Sequence, residues 1–351
     1  MKIFCIGAAI SIHNKRWAEW FSGRGHEVNF LSDTPGEIEN VRLYMVNLRN
    51  KLLFMPNVLR IRKIARRIAP DVIVGHYVYG YGLFAALAGV HPLVVSAWGS
   101  DVLIRPKESL PKRIAVSYVL RKADLVHTVA NHLTRECIKL GADPENTITL
   151  PYTPNPEEFN LNIEPALKEK NTVISTRALE PTYDVETLIR AAPAVVEKIQ
   201  DVKFIITGSG PQKDSLEKLA KSLHINNIKF VGGVKNMPGM LASADVYVST
   251  SLSDGTSISL LEAMACGAFP VVTNIEANRP WIKNGESGFL VPIKNPEALA
   301  QKIVEALENE KLRKSAKSKN WEVIQKHPWQ KNMEIFEEKM RELVEKRNLK
   351  Q

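Results

Sequence analysis

The chain has 351 residues, 44% hydrophobic and 24% charged, which is ordinary for globular protein and long enough for two domains of roughly 150 residues each. Its three cysteines, Cys5, Cys137 and Cys266, stand alone in sequence, so neither a disulfide framework nor a zinc site is expected. The formal charge of +9 is concentrated in residues 1 to 150, where 20 Lys and Arg meet 12 Asp and Glu.

In chain order, "KIFCIGA" reads as a first strand rather than a signal peptide, and no apolar run of about 18 residues follows it, so a cytoplasmic protein is expected. Residues Asn14 to Ser22 have helical spacing, with Trp17, Trp20 and Phe21 on one side, and the turn "GRGHEV" leads to "NFLS". In "LRIRKIARRIAP", Val58, Ile61, Ala65 and Ile68 share one helical face while Arg60, Lys63 and Arg67 share another. Such a helix either covers an α/β sheet or touches an anionic membrane surface, placing the protein peripherally at the inner face of the membrane. Nucleic acid is not expected, because no aromatic interleaving accompanies the basic residues. The strands "DVIVGH", "PLVVSAWG" and "ADLVHTV" complete a mostly parallel sheet, whose ligands belong beyond the strands' carboxyl ends. His13, His76 and Asp101 fall there, Asp101 also being placed to cap a helix. The first loop lacks Gly-x-Gly-x-x-Gly, which argues against a dinucleotide-dependent oxidoreductase.

Three prolines in "LPYTPNPEEF", Pro151, Pro154 and Pro156, mark a hinge, and six strand-like segments from "NTVIST" to "GFLVPI" form a second doubly wound sheet. Within it, "SDGTSISLLEAMACGAFPVV" joins a polar loop to a helix and a buried strand. Gly255, Thr256 and Ser257 lie where unpaired backbone N–H groups suit a phosphate, and the flanking Asp254 and Glu262 suit sugar hydroxyls, although Ser259 and Glu262 alone also spell a capping box. No Asp-x-Asp arrangement asks for a metal. The charged sequence after Ile293 is helical.

The acidic pair spaced by seven residues, with "LLEAMACG" and "PVV" behind it, resembles the signature of retaining glycosyltransferases of family 4 (group 1). The resemblance covers essentially the whole chain and implies a GT-B fold: two Rossmann-like domains facing each other across a cleft. Residues 1–155 would form the acceptor-binding domain and 156–328 the nucleotide-sugar-binding domain, with 329–351 as a helix crossing back, Phe336, Met340 and Leu343 turned inward. It implies a UDP- or GDP-sugar donor, a glycan, lipid-linked or small-molecule acceptor, no required cofactor or metal, and a role in cell-surface polysaccharide or glycolipid synthesis.

Carried over by motif, Arg177 in "STRALEPTYDVETLIRA" would hold the diphosphate, and Tyr183 stands where the family usually has a second cation, a lysine. Gly208 opens the glycine turn near the nucleotide, and the backbone at Val234 and Lys235 would meet the base. Asp254 would hold the donor sugar and Glu262 the ribose, with His76, Asp254 and Arg177 forming the catalytic set. His13, His76, Trp98 and Asp101 would stand on the acceptor side. Gly7 is followed by Ala8 and Ala9 instead of the family's Gly-Gly loop, leaving Ser11, His13, Lys15 and Arg16 to replace backbone contacts. These departures leave open a non-catalytic nucleotide-sugar-binding subunit, or a GT-B epimerase.

Overall fold

The structure, a computed structural model, describes residues 1–167 and 169–349. It divides into two compact units, one comprising Met1–Pro151 with the segment from Asn332 onward, the other Tyr152–Lys331.

Unit 1 holds strands β1 (Lys2–Ile6), β2 (Glu27–Ser32), β3 (Arg42–Met45), β4 (Val72–His76), β5 (Leu93–Ala97), β6 (Leu125–Thr128) and β7 (Thr147–Thr149). Between them run helices α1 (Ile12–Gly23), α2 (Phe54–Ile68), α3 (Leu83–Ala88), α4 (Ser100–Leu103), α5 (Arg105–Glu108), α6 (Leu110–Lys122) and α7 (Asn131–Lys139). The sheet is parallel throughout, in the order β3-β2-β1-β4-β5-β6-β7. Its central strands are buried on both faces, which is why they read as unbroken apolar runs rather than alternating ones. The edge strands β3 and β7 were not expected. They are short, partly exposed and lack that signature.

Unit 2 holds β8 (Thr172–Ser175), β9 (Lys203–Thr207), β10 (Ile228–Gly232), β11 (Val246–Ser249), β12 (Phe269–Thr273) and β13 (Phe289–Val291), with helices α8 (Val185–Lys198), α9 (Lys213–Ser222), α10 (Met237–Ala242), α11 (Ile258–Ala265), α12 (Pro296–Glu308) and α13 (Glu310–Gln325). This sheet is also parallel, in the order β10-β9-β8-β11-β12-β13. Val173, Val246, Val271 and Phe289 on one face pack with α8 and α12; Ile174, Tyr247 and Val272 on the other pack with α11.

The final helix, α14 (Trp329–Asn348), buries Phe336 and Met340 in unit 1, while Leu343 is half-buried and Met333 joins them. Phe336 meets Trp17, Phe21 and His127 edge-on or stacked. Glu337, 4% exposed, accepts from Arg24, His26 and Arg341; burial opposes its charge, but these three partners outweigh it and hold its pKa down to about 2. No helix among the described residues is long and apolar enough to cross a membrane.

Candidate active site

In an open parallel sheet, loops from the two strands at which the order reverses run in opposite directions and leave a crevice between them. In unit 2 those strands are β8 and β11. Arg177 follows β8 and Asp254 lies in the loop after β11, so the reversal brings together residues 77 apart in sequence.

The Arg177 guanidinium donates to Asp254 Oδ2 at 2.7 Å, to Ser257 Oγ at 3.0 Å and to Ser259 Oγ at 2.8 Å. The Tyr183 ring covers its face at 4.0 Å. Both ends of the ion pair are sheltered, with side-chain exposures of 9% and 15%. Burial works against the Arg177 charge, yet Asp254, helped by Tyr247 and Tyr183, holds its pKa above the ordinary value. Burial also raises the Tyr183 hydroxyl, and Arg177 partly offsets the effect. Arg177 Nε is buried without a hydrogen-bond partner among the described residues.

Ser257 is the N-cap of α11, so Ser259 lies inside the helix and the capping-box reading of Ser259 and Glu262 is not realised. Ser259 Oγ instead joins Arg177 to the buried Tyr247 hydroxyl, 2.9 Å away. Sequence reasoning missed Tyr247; the one signal was a tyrosine in a strand otherwise buried and aliphatic, where a hydroxyl needs a partner. The N–H groups of Ile258 and Ser259, at the start of α11, have no intrahelical acceptor. Glu262 is half-buried on the same helix, close enough to add to the burial that raises the pKa of Tyr247 and pushes that of Cys266 up to about 12.

Gly208 and Gly210 fix how closely the β9 loop approaches. A Cβ on Gly208, whose φ is +98°, would stand 2.6 Å from the Arg177 carbonyl oxygen, and one on Gly210 would stand 2.3 Å from that of Leu179. Leu179 donates its N–H to Ser209 in the same contact. Val234 is half-buried and Lys235 exposed just beyond β10, and their backbone groups make no hydrogen bond among the described residues.

In unit 1 the order reverses between β1 and β4. The loops there place His13 against Trp98, with ring centroids 5.6 Å apart. His76 lies deeper than expected, 1% exposed, boxed by Trp17 at 4.8 Å, Trp98 at 6.1 Å and Phe30 at 6.2 Å. Neither ring nitrogen has a hydrogen-bond partner among the described residues, and burial, with His127 adding to it, lowers its pKa to about 3. The ring is therefore neutral, with an unmet N–H and an unmet lone pair. Lys15, expected to replace backbone contacts, pairs instead with Glu19 along α1.

Asp101 requires a correction. It is fully buried, and its carboxylate accepts the N–H groups of Val78 at 2.8 Å, Gly99 at 2.8 Å and Trp98 at 3.1 Å. Burial raises its pKa to about 6 against the opposing effect of these bonds. Its acceptor capacity is turned inward, so it positions the β4 and β5 loops rather than binding a sugar hydroxyl. Nor is it an N-cap, since Gly99 holds that place.

Two family models match the chain in succession, "Glycosyl transferase 4-like" over residues 2–130 and "Glycosyl transferases group 1" over residues 157–322. The chain belongs to the group 1, GT4-like glycosyltransferases. Its fold is GT-B. This glycosyltransferase is 24% identical over 317 residues to the N-acetyl-alpha-D-glucosaminyl L-malate synthase of Bacillus anthracis, covering 83% of this chain and 82% of that one. It is 32% identical over 163 residues to the phosphatidyl-myo-inositol mannosyltransferase of Mycobacterium leprae, a match spanning 46% of this chain and 43% of the relative. Among solved structures, Anabaena HepE in complex with UDP-glucose superposes with a TM-score of 0.84 at 19% identity, covering 98% of this chain and 100% of HepE.

Proposed function

We propose that this glycosyltransferase transfers a sugar, with retention of anomeric configuration, from a nucleoside-diphosphate sugar to a glycan, lipid-linked or small-molecule acceptor in cell-surface polysaccharide or glycolipid synthesis. The observation that carries this reading is the sheltered Arg177 guanidinium at the strand-order reversal of unit 2, beside the open start of α11. Breaking the bond between the anomeric carbon and the diphosphate leaves charge on a phosphate oxygen. Arg177, the Ile258 and Ser259 N–H groups and the Tyr183 hydroxyl supply donors there. Asp254 then accepts from donor-sugar hydroxyls and Glu262 from the ribose, while Gly208 and the Val234 and Lys235 backbone serve the nucleoside. HepE, crystallised with UDP and with UDP-glucose, favours a uridine donor.

On the acceptor side we assign His13, Trp98 and the orphaned His76 ring. On this reading no carboxylate acts as a covalent nucleophile, and the departing phosphate takes the acceptor hydroxyl's proton as the new glycosidic bond forms on the same face. No metal is required for that step.

The test is a panel of UDP- and GDP-sugars with and without chelator, reading thermal shift and release of nucleoside diphosphate, and product anomers by nuclear magnetic resonance. One donor should both stabilise the protein and turn over in chelator, and Arg177→Ala and Glu262→Ala should each lose turnover. Normal turnover in both variants overturns the site assignment. Binding without turnover, even with membrane extract as acceptor, makes the chain a non-catalytic sugar-nucleotide-binding subunit.

A further inference from the structure

Two helices of unit 1 keep apolar side chains in water. α2 buries Val58, Ile61 and Ile68 beneath it, so it does cover the sheet, yet Met55 and Leu59 are 60% and 59% exposed one turn apart, and Leu52, just ahead of the helix, is 90% exposed. On α6, Leu110, Ile114 and Tyr118 are exposed at successive steps of four residues, which places them in a single stripe. Both helices pack against α3, whose Leu83, Ala86 and Leu87 are half-buried, so the three helices form one layer with apolar side chains along it.

Cations border both stripes. Residues 40 to 70 contain eight Lys and Arg and no acid; residues 105 to 122 contain six against the single Glu108. Arg60, Lys63 and Arg67 make no ion pair among the described residues, so nothing in the fold uses their charge. A polyanion such as nucleic acid would engage these cations and leave the leucines and isoleucine in water. An anionic bilayer engages both, with cations among the headgroups and the apolar stripes at the acyl boundary.

We propose that the α2–α3–α6 layer is the surface by which this protein lies on a bilayer rich in anionic lipid. This surface involves none of the residues assigned to the donor in unit 2.

The test is co-sedimentation of the full chain with phosphatidylcholine vesicles, with and without about one third phosphatidylglycerol, at about 0.1 M salt. Binding is expected only with the anionic lipid. At the usual worth of a cation near such a surface, about fivefold in partition each, Arg60→Gln with Lys63→Gln and Arg67→Gln should lower binding on the order of a hundredfold. Leu110→Ser with Ile114→Ser should lower it at least about tenfold. Tyr118→Ser serves as a second α6 variant should the pair lower the thermal midpoint. Equal binding to neutral vesicles, no binding to either, or α6 variants that bind as the parent does would overturn the proposal, and the last would return α6 to an ordinary covering helix.

Discussion

Replacing Asp254 by Asn tests whether Arg177 is built to receive a phosphate. Two unit charges about 4 Å apart attract by about 4 kcal/mol at an effective dielectric of about 20. Removing one member of a sheltered pair costs about 3–5 kcal/mol, because the remaining charge is left in place. The asparagine oxygen keeps one hydrogen bond to the guanidinium, and Ser257 and Ser259 keep theirs, so the expected loss is about 2–3 kcal/mol. For a unit of this size that is a fall of about 5–10 °C in its thermal midpoint. UDP carries the diphosphate but no sugar, so it isolates the phosphate contact from any contact of Asp254 with donor hydroxyls. At a hundredfold excess over its Kd it should stabilise the parent by about 2.7 kcal/mol, and the variant by that plus much of what the substitution removed. Calorimetry of the unit 2 transition with and without UDP reads both quantities. Equal UDP shifts in parent and variant, or an unchanged midpoint without UDP, would show that Arg177 has another purpose.

His76→Phe should retain or raise stability, since it removes two unmet polar atoms from an aromatic box, while transfer activity falls; full activity would make His76 a packing residue only. Acid should separate the same pair. The folded value of about 3 lies below the ordinary value of 6.5, so the unfolded chain binds more protons between them and stability falls as pH drops below about 6.5. By pH 5 His76 accounts for about 2 kcal/mol of that fall. Asp101, raised to about 6, acts in the opposite sense but equally in both proteins, so urea melts at pH 5 and 7 should show the smaller loss in the variant, and parallel losses would refute the buried-neutral assignment. Gly210→Ala forces a carbon to within 2.3 Å of the Leu179 carbonyl oxygen and should weaken UDP binding about tenfold or more by displacing the loop after β8, as read by calorimetric titration; unchanged affinity would show the contact to be dispensable.

Much of this molecule was legible from local pattern. The twice-covered central strands announce themselves as β-branched runs, and the run from Ser253 to Val272 shows its loop, helix and strand in order. What sequence withheld depends on contacts across the fold. "DVIVGH" places His76 at a strand end, but only the packing of α1 over it shows that Trp17 closes the space above. Asp101 was readable as a loop-end acid, whereas its three backbone donors come from two different loops. Tyr183 was read as a substitute for a missing cation; the structure lays its ring against the cation that remains. Ser259 and Glu262 also spell a capping box, but the helix begins at Ile258, and the Ser259 hydroxyl goes to Arg177 and Tyr247, contacts that local spacing does not show.

The boundary of unit 2 has a consequence for how these proteins can be made and rearranged. Because residues from Asn332 onward belong with Met1–Pro151, unit 2 is an insertion within the other, joined at Pro151–Tyr152 and again at Lys331–Asn332. During synthesis the first sheet emerges early, but its Trp17, Phe21 and His127 surface waits for Phe336, more than two hundred residues later, to cover it. A recombined enzyme that takes unit 2 from another parent must exchange a cassette with two joints; a single crossover would pair one parent's aromatic surface with another's closing helix.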